Sequence, residues 1–296
     1  MNVLRLVYAS FTVPDVEKMV DYYRDVIGLT ETGRENGTVH LSCTLDHHAV
    51  VLTKGPKTGL LNVGLQVQSE DMEELARHLR NHGAKAKIFS DTQPGIGHFV
   101  RATDPDGLSL EFFGAPQVYT HPPASKGIVP FKLGHIATMT PEVKKTVAFY
   151  QDVLGFRFSD SIEDYFYFLR CGSDHHVMNF LEYKDRKMHH YAFELNDIGH
   201  LHSAADTLAR AKIPVLWGPL RHGVGHNIAM YHRDPAGQIV EFFVELDQIT
   251  NEGLGWFDPR PWHEDYPQRP KRWDTKTGGN HWGSGPAPDG LMEGTI

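Results

Sequence analysis

The chain has 296 residues, 40% of them hydrophobic and 22% charged, a balance that suits a soluble globular protein long enough for two ordinary domains. A formal net charge of -8 argues against nucleic acid as a partner, because phosphate contacts draw on lysine and arginine clusters that the sequence lacks. No apolar run is long enough for a membrane helix, and the N-terminus MNVLRLVYAS has no charged segment ahead of a long apolar core, so a cytoplasmic protein without a membrane partner is expected.

Taken in order, each half of the chain reads as strand, helix, strands, then the same again. LVYASFTV, from Leu6, is a strand; Thr12 is placed to cap the helix that follows, and Gly28 sits where a helix C-terminus tolerates glycine best. HLSCTL and HAVVLT alternate like strands, LNVGLQV from Leu61 is another, and Ser69 is expected to cap EDMEELARHLRNHG, which Gly83 ends. DPDGLSLEFF, from Asp104, is a turn feeding a strand. Laid over the second half with a shift of 127 to 130 residues, these segments recur: LGHIATMTPEVKKTVAFYQDVLGF from Leu133, HHYAFEL from His189 and DPAGQIVEFF from Asp234. In the copy Thr140 takes the place of Thr12, Gly155 that of Gly28, and Asn196 or Asp197 starts the last helix. The chain is a duplication. Residues 1–118 form a first domain, 119–130 a linker, 131–248 a second domain, and 249–296 a tail. That tail is rich in proline and glycine yet holds Trp256, Trp262, Trp273 and Trp282, and buried aromatic area is what ordering needs, so it is expected to wrap the core or a neighbouring subunit. Cys43 and Cys171 are too few for a disulfide framework and read as buried, reduced thiols.

Nineteen histidines, concentrated after residue 130, ask for a metal. His135 near the end of a strand, His190 near the start of the middle strand and Glu241 on the last strand give two imidazoles and a carboxylate, a facial set that suits iron(II) or manganese(II) and leaves positions open for two reactants. A single strand-end histidine is more often merely hydrogen-bonded. The comparison with the first half is what lifts the set, since Tyr8, Asn62 and Glu111 stand at the same repeat positions and only the carboxylate recurs. If a metal is bound, the second half binds it. Adjacent strand residues point to opposite faces, so one of His189 and His190, and one of His175 and His176, is expected to face a shared cavity, and the repeat does not say which.

The segment Arg221 to Glu241 carries the most specific signal: His222, nine residues to Tyr231, then Asp234-Pro235-x-Gly237, then Glu241. In this the second half resembles the type I extradiol ring-cleavage dioxygenases (catechol 2,3-dioxygenase-like) of the vicinal oxygen chelate superfamily, a resemblance that covers nearly the whole chain, although Leu220 departs from the small or β-branched residue usual there. It implies an α+β fold of four βαβββ modules in two tandem domains, each a cup-like mixed sheet with helices outside. It implies iron(II), with manganese(II) as the alternative, on His135, His190 and Glu241; the latter of each adjacent histidine pair is chosen, and His-x-x-x-Phe, met by His176 with Phe180, favours His176 over His175. By the same resemblance His176 serves the dioxygen side as hydrogen-bond donor and acid, His222 and Tyr231 hold the catechol oxygens, and His226 is a surface residue. Relatives that take acidic catechols tend to carry an arginine where Trp217 stands, so Trp217, Phe168, Val224 and also Tyr167 are expected to wall a site for an uncharged alkyl- or aryl-substituted catechol. A catechol and dioxygen are then the partners, with assembly as a homo-oligomer. The rivals are a glyoxalase-type metal isomerase or lyase and a drug-binding protein of the same fold.

Overall fold

The structure is a computed structural model that describes residues 1–120, 122, 124, 126–251, 256–257, 269–283, 287–288, 290–291 and 293–294. The first module holds β1 (Val3–Val13), α1 (Val16–Tyr22), β2 (Thr30–Glu35), β3 (Thr38–Ser42) and β4 (Val50–Lys54). The second holds β5 (Gly59–Val67), α2 (Met72–Asn81), β6 (Ala86–Gln93), β7 (Ile96–Thr103) and β8 (Ser109–Phe113). In the second domain come β9 (Lys132–Thr140), α3 (Val143–Asp152), β10 (Arg157–Ile162), β11 (Phe166–Arg170) and β12 (Met178–Glu182), then β13 (Lys187–Glu194), α4 (Ile198–Arg210), β14 (Trp217–Arg221), β15 (Ile228–Arg233) and β16 (Ile239–Val244). Past these lie β17 (Ile249–Asn251), β18 (Trp256–Phe257), β19 (Lys271–Trp273) and α5 (Thr275–Gly279). This is the four-module, two-domain α+β architecture that the repeat predicts.

Each module closes on itself by pairing its first strand in parallel with its last, as β1 does with β4 and β9 with β12. The two modules of a domain then join by antiparallel pairing of their first strands, β1 with β5 and β9 with β13. The resulting orders are β2-β3-β4-β1-β5-β8-β7-β6 and β14-β15-β16-β13-β9-β12-β11-β10, the latter extended at its edge by β19, and each sheet curls with the helices outside. α2 shows why a helix settles there: Met72, Leu75, Ala76 and Leu79, spaced to share one face, are buried while its other face is solvated.

The helices start later than Thr12 and Ser69 suggest. Asp15 caps α1 by accepting from Lys18 N at 3.1 Å, and Asp71 caps α2 by accepting from Glu74 N at 2.9 Å. Pro14 explains the first shift, because a residue before proline is held extended and the strand therefore runs on through Val13. Thr140 likewise ends β9, its hydroxyl accepting from Glu142 N at 3.1 Å, and Asp197 caps α4. A π-helical turn, Tyr23–Ile27, continues α1, and Gly28 closes it at φ +85°, where an added Cβ would stand 2.7 Å from Val129 N, so glycine is required. Both cysteines are free, Cys171 buried and Cys43 half-buried just past the end of β3.

The domains exchange buried hydrogen bonds across their seam. Tyr23 Oη donates to Tyr191 Oη (2.8 Å), which donates to Asp234 Oδ2 (3.0 Å), and Tyr22 Oη meets His232 Nε2 at 2.7 Å. The repeat mirrors this with Tyr150 Oη on Asp104 Oδ2 at 3.2 Å. The Asp-Pro-x-Gly turns thus serve the seam as well as the chain reversal, with Gly237 at φ +84° and Asp234 Oδ1 accepting from Ala236 N and Gln238 N. No helix among the described residues is long and apolar enough to cross a membrane.

Candidate metal centre and active site

Two rows of cross-strand partners in the second sheet carry the site. One runs His135 (β9), Ala192 (β13), Glu241 (β16), Tyr231 (β15), Trp217 (β14), each paired with the next. The other runs His190 (β13), Ala137 (β9), Asn179 (β12), Phe168 (β11). Directly opposed residues share a face, and positions two apart on a strand do too, so both rows project into one cup.

His135 Nε2, His190 Nε2 and Glu241 Oε2 form a triangle whose three edges are each 3.1 Å. All three residues are buried, and among the described residues their donor atoms meet the convergence that a metal ion needs. Ligands about 2.1 Å from an ion lie about 3.0 Å apart at right angles and about 3.4 Å apart in a tetrahedron. The triangle therefore has the size of one octahedral face, and the donor set fits a divalent ion with three positions left over. Burial alone would raise the Glu241 carboxyl, but His135 and His190 beside it hold it well below the usual carboxylate range. Burial pushes His190 down as well, which leaves a neutral imidazole with a lone pair to give. Behind the triangle, His190 Nδ1 lies 2.6 Å from His189 Nδ1, and Asn227 Nδ2 donates to Glu241 Oε1 at 3.0 Å.

Around it sit the other expected residues. The His176 ring stands edge-on to His135 at 4.6 Å and to Phe168 at 5.2 Å, and burial among histidines pushes its pKa well down. His175 turns away to Asp160 Oδ2 at 3.2 Å, so of that pair His176 lines the cavity. His222 Nδ1 lies 2.6 Å from the Gly279 carbonyl, which can only accept, so Nδ1 carries the proton and Nε2 accepts from Tyr231 Oη at 2.7 Å. Burial, reinforced by Glu241, holds the Tyr231 phenol well above its ordinary value. The cavity has a volume of about 610 Å³ and an apolar wall of Ile162, Phe166, Phe168, Trp217 and Val224, with Trp217 stacked on Tyr231 at 5.5 Å. Gly278, Gly279 and Leu291 from the tail close it, tied by Gly223 N to Gly278 O and by β19 pairing with β10. Trp273 Nε1 donates to Asp160 Oδ2 at 2.8 Å and Trp282 covers the Arg221 guanidinium; Trp262 lies outside the described residues.

Three expectations are corrected. His226 is buried rather than superficial and bonds the Asp247 carboxylate through Nδ1, because Gly225 (φ +69°) and His226 (φ +53°) fold the loop inward. Tyr167 faces away, its hydroxyl on Asp164 O, because alternation along β11 gives the cavity to Phe166 and Phe168 instead. His189 and His190 both line the cavity: a register shift between Met188 and His190 breaks the alternation there. Asn227 and Asn179, both in the wall, were not anticipated, since a lone asparagine carries no motif.

The first domain shows the same row emptied of metal chemistry: Tyr8, Gly64, Glu111 and Arg101 pair as His135, Ala192, Glu241 and Tyr231 do. The Arg101 guanidinium binds Glu111 Oε1 at 2.6 Å and the Tyr8 hydroxyl bonds its other oxygen, so a cation already neutralises the carboxylate. Gly64 makes room for the Tyr8 ring, which an added Cβ would strike at 2.0 Å.

Paired βαβββ modules forming a cup, with two histidines and a glutamate on one of its faces, define a metal-binding protein of the vicinal oxygen chelate kind. The chain belongs to the Glyoxalase/Bleomycin resistance protein/Dioxygenase superfamily, whose family model matches residues 5–112 and 132–242. It is 27% identical over 270 residues to a 3-methylcatechol 2,3-dioxygenase of Pseudomonas putida, covering 84% of this chain and 92% of that one. It is 25% identical over 292 residues to a manganese-dependent 2,3-dihydroxybiphenyl 1,2-dioxygenase of Geobacillus genomosp. 3, covering 85% and 93%. Among solved structures, the Mn(II)-bound glyoxalase of Novosphingobium aromaticivorans superposes with a TM-score of 0.84 at 26% identity, covering 98% of this chain and 94% of that one.

Proposed function

We propose that this chain is an extradiol dioxygenase that opens a catechol ring beside its diol with dioxygen, on iron(II) held by His135, His190 and Glu241. The observation that carries this reading is the triangle of 3.1 Å edges with His176, His222 and Tyr231 lining the same cavity. When bound, the ion holds catechol and dioxygen side by side and lets electrons pass from one to the other, a task that manganese(II) could also perform. Tyr231 and His222 form a proton-carrying pair at the catechol side: the phenol donates to a neutral imidazole, so the pair can accept a substrate proton at His222 Nε2 while Tyr231 turns its hydroxyl to a catechol oxygen. His176, kept neutral by burial, serves the dioxygen side as hydrogen-bond donor and proton carrier. Trp217 and the apolar wall select an uncharged alkyl- or aryl-substituted catechol; Lys276, the one lysine or arginine among the described lining residues, is exposed at the rim, where water screens it. The same reading makes the protein a cytoplasmic homo-oligomer.

A glyoxalase-type isomerase is the second reading, favoured by the similarity to the Mn(II)-bound glyoxalase. It gives no role to His176, His222 and Tyr231 as a set. Protein stripped of metal, reloaded anaerobically with iron(II) or manganese(II) and assayed in air should turn over 3-methylcatechol and 2,3-dihydroxybiphenyl in preference to protocatechuate. Preference for protocatechuate would refute the uncharged-substrate reading, and oxygen-independent turnover of a methylglyoxal–glutathione adduct would establish the isomerase. His176→Phe should keep metal and lose turnover; full activity would remove His176 from the mechanism.

A further inference from the structure

Resting on the reading of His135, His190 and Glu241 as the metal site, we infer that Asn227 is a positioning residue for the metal: it fixes the Glu241 carboxylate while leaving the full negative charge for the ion. Three observations converge. First, Asn227 Nδ2 donates to Glu241 Oε1 at 3.0 Å, whereas Oε2 is the oxygen that lies 3.1 Å from both histidine nitrogens. The bond thus takes up one oxygen and turns the other toward the triangle, which favours one-oxygen coordination.

Second, the asparagine is built into place rather than left on a mobile loop. It is buried, its backbone carbonyl accepts from His222 N at 3.0 Å, and the preceding residue is anchored twice, by Arg221 Nη1 on the His226 carbonyl at 2.7 Å and by the hydrogen bond of His226 Nδ1 with Asp247. The backbone that carries the amide is therefore already restrained before any ion arrives, and an outer partner held so firmly acts on the ligand's orientation.

Third, the duplicated first domain supplies the contrast. There the corresponding carboxylate, Glu111, receives a guanidinium from Arg101, which occupies the cross-strand position of Tyr231. A cation at the carboxylate has the effect of a bound ion and removes the need for one. In the second domain the donor to the outer oxygen is a neutral amide, and Gly97, which stands at the repeat position of Asn227, offers no side chain at all. A neutral donor orients without neutralising, which is what a carboxylate ligand for a divalent ion requires.

The test is the affinity of the full-length protein for iron(II) or manganese(II), measured anaerobically by competition with a chromophoric chelator, for wild type, Asn227→Ala, Asn227→Ser and Asn227→Gln. Ala removes the amide and Ser keeps a polar group too short to reach Oε1, so both should bind the ion about ten- to a hundredfold more weakly. Gln keeps the amide and should recover part of that loss. Should the Ala variant not fold, the Ser variant carries the comparison, with thermal unfolding of the metal-free forms as the check. Affinities of the Ala and Ser variants within twofold of wild type, with wild type binding one ion, would overturn the role of Asn227 alone. If wild type binds no ion, the metal site itself is refuted and Asn227's role with it.

Discussion

Asp160→Ala probes the link between the tail and the chemistry. Asp160 is buried on β10, and its carboxylate accepts from Lys271 N at 3.0 Å and Trp273 Nε1 at 2.8 Å, both in β19, as well as facing His175 Nε2 at 3.2 Å. Hydrogen bonds to a charged group contribute roughly 1.5–3 kcal/mol each, so the two that hold β19 are worth about 3–6 kcal/mol before the cost of burying the carboxylate is set against them. A net loss of about 3 kcal/mol raises the undocked fraction of the segment about a hundredfold. Undocking also frees Gly279, whose carbonyl fixes the proton on His222 Nδ1 and hence the direction of its bond with Tyr231. The variant should be cleaved by trypsin after Lys271 and Arg272 far faster than wild type, read by intact mass, and its kcat/KM should fall with it. Cleavage within twofold of wild type, with turnover intact, would show that the edge strand does not hold the site closed.

His226→Ala should cost about 3–5 kcal/mol in urea unfolding, because it strands Asp247, fully buried, without its partner; a loss under about 1 kcal/mol would mean that the pair is not structural. Burial pushes the Asp234 carboxyl up from 3.8 to about 6, so between those values the native state holds a proton that the unfolded chain has released, and stability contributed by this group falls as pH rises through the window. Asn at 234 does not titrate, so Asp234→Asn should gain on wild type by roughly 1–3 kcal/mol between about pH 4 and pH 7, measured by urea unfolding of both. A difference that stays flat across that range would refute the raised value.

Much of this site was legible in the sequence because its periodicities are physical ones. The offset of 127 to 130 residues sets Tyr8 against His135 and Glu111 against Glu241, and the same pairs occupy equivalent places in the two ladders. His190, His176, His222 and Tyr231, chosen on the family resemblance rather than on period, line one cavity with His135 and Glu241. What escaped is what needs contacts rather than spacing. Strict alternation cannot foresee the register shift that brings in His189 beside His190, whereas applied to β11 it sets Phe166 with Phe168 and turns Tyr167 away, so naming Tyr167 together with Phe168 broke the period rather than exposed its limit. His226 looked superficial because its partner, Asp247, lies 21 residues away beyond two strands. Asp15 and Asp71 displaced the expected caps because two capping residue types stood close together at each helix start, and which one caps depends on where the extended backbone ends.

The central claim is tested most directly by one anaerobic reconstitution carried out on wild type and Glu241→Ala. Metal-free protein receives ferrous iron, then 3-methylcatechol, then air. Wild type should retain one iron and produce a yellow ring-fission product, while Glu241→Ala should retain none and stay colourless. Equal iron and equal yellow product from both proteins, or no product from iron-loaded wild type, would contradict the assignment.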